Sequence, residues 1–123
     1  TLTTAKESWP DRRLIVVFQP HRYTRTEALF DRFVISFNEA DILIVNPIYS
    51  AGDKSINGVS GEFLSQGIKE HGHKEVIYSP GQEDSLSTLL SIVKPGDLVI
   101  TLGAGDIYEL SGRLLDELEA RTT

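Results

Sequence analysis

The stretch FQPHRYTRT, residues 18–26, places His21, Arg22, Tyr23 and Arg25 within five residues, straight after an apolar run and a proline. A guanidinium pairs with a carboxylate or phosphate through two parallel hydrogen bonds. An imidazole adds a donor that is neutral or charged near pH 7. Thr24 and Glu27 follow at the Thr-x-x-Glu spacing of a capping box, which predicts a helix start near Thr24. A helix start carries roughly half a positive charge, and each cation beside it costs roughly 0.3–1 kcal/mol that a bound anion would reverse. These residues together read as an anion trap built from His21, Arg22 and Arg25. The competing reading is that both arginines are surface charges pairing with nearby acids.

Other candidates lie in three loops. Residues 46–61 form a long polar stretch that mixes glycines with Tyr49, Asp53 and Lys54, and long loops beyond strand ends often carry function. Gly103-Ala104-Gly105-Asp106 puts two glycines between a strand and a helix. That arrangement allows close backbone approach, with Asp106 available to cap the helix; the third glycine of a dinucleotide fingerprint is missing. His71-Gly72-His73 has no cysteine or acid at ligand spacing and reads as a helix end with surface histidines, so no metal site is expected. There is no phosphate-binding Gly-x-x-x-x-Gly-Lys-Ser/Thr motif: Gly52-Asp53-Lys54-Ser55 lacks the first glycine and the Gly-Lys pair. No Gly-x-Ser-x-Gly elbow or acid cluster is present either. No residue is expected to catalyse a reaction unaided; the pattern describes a module that binds and orients an anion.

The 123 residues, 40% apolar and 24% charged, suit one domain with one good core. Net charge −6 argues against nucleic acid or an anionic membrane as partner and makes the basic loop stand out. The absence of cysteine removes disulfides and thiolate chemistry and fits a cytoplasmic setting. No apolar run approaches membrane-spanning length, and the polar N-terminus shows no signal peptide.

The elements that must position these loops alternate along the chain. Strands are expected at 14–18 (LIVVF), 41–45 (DILIV), 75–79 (EVIYS) and 97–102 (DLVITL). Residues 2–8 read as the end of a helix stopped before Pro10. A second helix runs from Thr24 to about Ala40, with Leu29, Phe30, Phe33, Val34 and Phe37 on one face. Further helices carry Phe63, Leu64 and Ile68; then Leu86, Leu89, Leu90 and Val93; and finally Ile107, Leu110, Leu114, Leu115 and Leu118. This alternation predicts a doubly wound, mainly parallel α/β sheet of the three-layer, Rossmann-like kind, with order 3-2-1-4 favoured. Ligands of such sheets bind beyond the carboxyl ends of the strands, which singles out loops 19–26, 46–61, 79–84 and 103–106.

Three stretches, in order, resemble the C-terminal domain of the Mur ligase family, and within it the members that add L-alanine to UDP-N-acetylmuramate. They are Phe18–Thr26; Ile48-Tyr49-Ser50-Ala51-Gly52-Asp53, against a Val-Tyr-x-Ala-Gly-Glu loop; and Pro95–Val99 leading to Gly103–Ile107. The match runs from about Trp9 to Leu118. It implies that residues 1–123 form one amino-acid-presenting domain, with the UDP-sugar domain and the central ATPase domain, its P-loop and its Mg²⁺ ligands elsewhere in the polypeptide. In such ligases ATP phosphorylates the lactyl carboxylate and the amine of L-alanine attacks the acyl phosphate. By position His21, Arg22 and Arg25 would hold the alanine carboxylate, with Tyr49, Ala51 and Gly52 also at the substrate and Gly103, Gly105 and Asp106 supporting. ATP and Mg²⁺ would bind mainly to the absent central domain, and this domain alone would be inactive in peptidoglycan synthesis. The chain departs from the family pattern at Pro47, where an acid is usual, and at Asp53, where glutamate is. The family's Asp-Asp-Tyr-Gly-His-His segment, expected just upstream, is not in the chain. A sister ligase for another amino acid or peptide, and a stand-alone small-anion or nucleotide-binding module, are the alternatives. A receiver domain would need acids where Gln19 and Pro20 stand.

Overall fold

Strand β1 (Leu14–Gln19) is buried along nearly its whole length, because its β-branched and aromatic side chains find apolar neighbours on both faces of the pleat. Leu14, Val16 and Phe18 enter one core, and Ile15 and Val17 enter the other. A computed structural model describes residues 2–73, 75–103 and 107–122. Around β1 it arranges β2 (Ile42–Val45), β3 (Val76–Tyr78) and β4 (Leu98–Gly103) in the order β3-β2-β1-β4, every pair parallel. The expected fold class and strand order therefore hold.

One face is covered by α1 (Leu2–Ser8), α3 (Phe30–Ser36) and α4 (Gly61–Glu70), which contribute Leu2, Val34, Leu64 and Ile68 to a core that Phe18, Phe37, Leu43 and Val45 complete, while the short α2 (Tyr23–Ala28) leads into α3. The other face is covered by α5 (Gln82–Ile92) and α6 (Tyr108–Thr122), with Leu86, Leu89, Leu110 and Leu114 against Ile15, Val17, Ile42 and Ile44. Helix α4 opens on Ser60, whose hydroxyl accepts from the Phe63 amide at 2.9 Å.

Three expectations need correcting. The helix proposed from Thr24 to Ala40 is two helices, with Leu29 between them at φ −107°, ψ 11°, and it ends at Ser36. Within α2 the buried Thr26 hydroxyl donates back to the Arg22 carbonyl at 2.7 Å, a bond type that weakens a helix slightly. The capping box is also absent: Thr24 bonds a remote carboxylate, and the first residue of α2 is Tyr23. Finally, Phe63 and Leu115 point outward, 52% and 57% exposed. An apolar stripe at helical spacing is wider than the strip a flat sheet covers.

The start of β1 is tied to the turn before β4 by a two-pronged ion pair. Arg13 Nη2 and Nε donate to Asp97 Oδ2 and Oδ1 at 2.6 and 3.2 Å, and Arg13 Nη2 also donates to the Ile92 carbonyl. Burial pushes the Asp97 carboxyl up, but Arg13 and the Lys94 amide outweigh it and hold the group below the usual carboxylate range. A carboxyl whose pKa is depressed by folding stabilises the fold above its ordinary value, and that stabilisation disappears as pH falls through the depressed folded value. Asp97→Ala is expected to cost about 2 kcal/mol at neutral pH by urea unfolding. The gap between variant and wild type should close in strong acid.

Candidate functional site

The sheet continues beyond its formal end. Proline cannot donate, but the Pro20 carbonyl accepts from the Tyr49 amide at 2.8 Å, and the Arg22 amide donates to the Tyr49 carbonyl at 2.8 Å. This resumed ladder forms an isolated parallel bridge between His21 and Tyr49 and stacks their rings, with centroids 6.0 Å apart and planes 22° off parallel. Loops 19–26 and 46–60, far apart in sequence, are thereby zipped together.

A second clasp lies four residues on. Ser50 to Asp53 form a turn closed by the Asp53 amide on the Ser50 carbonyl at 2.8 Å. Its two central residues are left-handed, Ala51 at φ 50° and Gly52 at φ 88°, a conformation natural for glycine and rare for alanine. The turn carries Asp53 Oδ2 back to Thr24, where it accepts from the amide at 3.1 Å and the hydroxyl at 2.9 Å. The Thr24 amide first, then the Thr24 hydroxyl and the nearby Arg22 charge, hold the Asp53 carboxyl below the usual range. Arg22 itself sits at φ 65°, ψ 144°, a region that residues with side chains seldom occupy.

The anticipated site residues separate into three groups. His21, Arg22, Tyr49, Ala51 and Gly52 are assembled by the two clasps, and Arg25 lies one turn along α2. Arg22 and Arg25 are exposed, and neither guanidinium lies within 4 Å of a carboxylate among the described residues, where the ion pairs are Lys6–Asp41, Arg13–Asp97 and Arg113–Glu83. Among the described residues, then, neither cation makes an ion pair with an internal acid. The helix-dipole part of the anion trap does not survive. Helix α2 is only six residues long, and one of its first amides is already bonded to Asp53. Of the supporting loop, Gly103 is described, whereas Gly105 and Asp106 lie outside the described residues.

Gly103 pairs with Gln19 across β1 and β4 at φ 130°, and a Cβ there would sit 2.1 Å from the Gln19 carbonyl oxygen. Beside this contact a cavity of about 240 Å³ opens at the carboxyl end of the sheet, lined by Gln19, Asn46, Gly81, Gln82 and Ile107 among others. Gln19 Oε1 is buried there without a hydrogen-bond partner among the described residues. Its wall is stiffened by a polar network that sequence reading missed: Ser85 Oγ lies 2.6 Å from Asn46 Oδ1 and 2.8 Å from Ser79 Oγ, all three residues buried. The only sequence signal for it was position, since Asn46 and Ser79 each directly follow a strand. His71 and His73 lie elsewhere, their rings bonded to the Gly67 and Ala40 carbonyls.

Comparison with known proteins adds an independent line. Residues 1–105 match the family model described as Mur ligase, glutamate ligase domain. A UDP-N-acetylmuramate–L-alanine ligase of Desulforapulum autotrophicum is 52% identical over 118 residues, covering 96% of this chain and 26% of that protein. The same-named ligase of Geotalea daltonii is 53% identical, with 96% and 26% covered. The crystal structure of UDP-N-acetylmuramate-alanine ligase from Thermotoga maritima superposes with a TM-score of 0.65 at 25% identity, covering 98% of this chain and 23% of that one. The chain therefore spans about a quarter of the length of the curated relatives it matches.

The Gly103 contact yields a direct test. Gly103→Ala forces a side chain both into a closed backbone region and onto the Gln19 carbonyl, so it is expected to destabilise the fold by at least about 2 kcal/mol in urea unfolding.

Proposed function

The chain belongs to the Mur ligase, glutamate ligase domain family, and we propose that it is the amino-acid-presenting domain of an ATP-dependent ligase that joins L-alanine to UDP-N-acetylmuramate. Residues 1–123 are taken as one domain of a longer cytoplasmic polypeptide whose other parts bind the nucleotide sugar and ATP. Relatives about half identical along nearly the whole chain carry that ligase name, which favours it over the sister ligases and over a stand-alone binding module.

The observation that carries the assignment is the pair of exposed guanidinium groups, Arg22 and Arg25, with no carboxylate within 4 Å among the described residues, at a loop and helix start that two clasps hold. A charged side chain held by its backbone yet unpaired is prepared to meet an external anion. His21, stacked on Tyr49, adds a ring donor at the same edge. Together they would grip the carboxylate of alanine and leave its amine free to attack. Ala51 and Gly52 would form the adjacent wall of the substrate site, and Gly103 with Gly105 and Asp106 would support it from the neighbouring loop. ATP, with Mg²⁺, supplies the activation of the lactyl carboxyl group. That chemistry is taken to belong to the rest of the polypeptide. This domain's contribution is entropic: it fixes the nucleophile against an electrophile prepared elsewhere.

In the full-length ligase, Arg25→Ala should raise the KM for L-alanine about tenfold to a hundredfold, the value of a charge-assisted contact of roughly 1.5–3 kcal/mol, with the KM for ATP unchanged. Steady-state assays with each substrate varied in turn make the measurement. Unaltered alanine kinetics would remove Arg25 from the role.

A further inference from the structure

We propose that Asp53 is a positioning residue for the carboxylate-binding loop: its side chain straps the turn 50–53 onto Thr24 and so keeps the Arg22 backbone in its left-handed conformation, with both guanidinium groups clear of the carboxylates among the described residues. The inference rests on the function proposed above and extends it to a residue that does not touch the substrate.

Three observations support the strap. Arg22 holds a conformation that side-chain-bearing residues avoid, and such conformations persist only where the surroundings over-determine them. Arg22 is held on one side by its amide on the Tyr49 carbonyl, and its own carbonyl accepts from the amide and hydroxyl of Thr26. What fixes the residues just beyond it is Asp53, through both donors of Thr24. Secondly, the turn that delivers Asp53 holds its own left-handed non-glycine, Ala51. Two unfavourable backbone segments thus meet at one carboxylate, and releasing it would let both relax. Thirdly, Asp53 lies close enough to Arg22 to feel its charge, yet the pair makes no ion bridge within 4 Å among the described residues. The carboxylate is spent on Thr24, so the cation stays available. The same bonds decide where an incoming anion sits. The first turn of α2 already has an internal carboxylate on Thr24, so a ligand with one α-carboxylate is left to the side chains of Arg22, Arg25 and His21.

The test uses the full-length ligase with L-alanine, ATP and the nucleotide sugar varied separately. Asp53→Ala is expected to raise the KM for L-alanine about tenfold, a coupling typical of residues in one hydrogen-bond network, while the other two KM values and kcat stay near wild type. Asp53→Asn keeps an oxygen acceptor for Thr24 and should recover most of the loss. Thr24→Val combined with Asp53→Ala should be no worse than Asp53→Ala alone. An unchanged alanine KM in Asp53→Ala, or equal rises for all three substrates, overturns the proposal. Should Asp53→Ala fail to fold, Thr24→Val alone decides: a selective rise in alanine KM supports the strap and none refutes it. If Arg25→Ala weakens alanine use while the Asp53 variants are silent, only the strap falls; if Arg25→Ala is silent too, the functional assignment falls with it.

Discussion

Two backbone hydrogen bonds, Tyr49 amide to Pro20 carbonyl and Arg22 amide to Tyr49 carbonyl, hold the candidate site together. They extend the parallel pairing of β1 and β2 past the point where a proline would be expected to end it, because Pro20 is asked there only to accept. Without them, loops 19–26 and 46–60 would be independent excursions from neighbouring strands. With them, His21 stacks on Tyr49, and the turn at Ala51-Gly52 starts from a fixed point and brings Asp53 within reach of Thr24. The site is an extension of the sheet more than a pair of loops.

The same sheet explains why the cations can be left unpaired. Burial of β1 and β2 on both faces supplies the stabilisation, and the Arg13–Asp97 pair closes the opposite end, where strand β1 begins. The carboxyl ends of the strands can then hold features that cost stability: a left-handed arginine, a left-handed alanine, a buried glutamine oxygen without a partner and a glycine pressed onto the neighbouring strand. Such features gather at functional edges because the rest of the fold tolerates them.

How far the sequence could be read depended on the range of the interaction. The four apolar runs, led by LIVVF and DILIV, named the strands to within a residue or two, since a buried parallel strand leaves few other options for such runs. The bend at Leu29 was not legible, because the apolar positions on its two sides keep helical spacing across it, and a periodicity count sees only that spacing. Thr24 is the clearest failure. Glu27 stands at capping distance in sequence and is exposed, but Asp53, 29 residues away, takes both Thr24 donors. A local motif states what a residue can bond; the turn at 50–53 decides what reaches it first.

The sequence by itself determined the α/β class, the parallel sheet and the presence of a cationic loop after the first strand. These follow from side-chain type and short-range periodicity, which act wherever the chain goes. Only the tertiary structure decided that Arg22 and Arg25 make no ion pair among the described residues, that the helix start is already bonded to a carboxylate, and that Tyr49 and Asp53 share one edge with His21. Those are facts of proximity between distant segments, and hydrogen bonds and ion pairs form or fail over a few ångströms that composition and spacing do not fix.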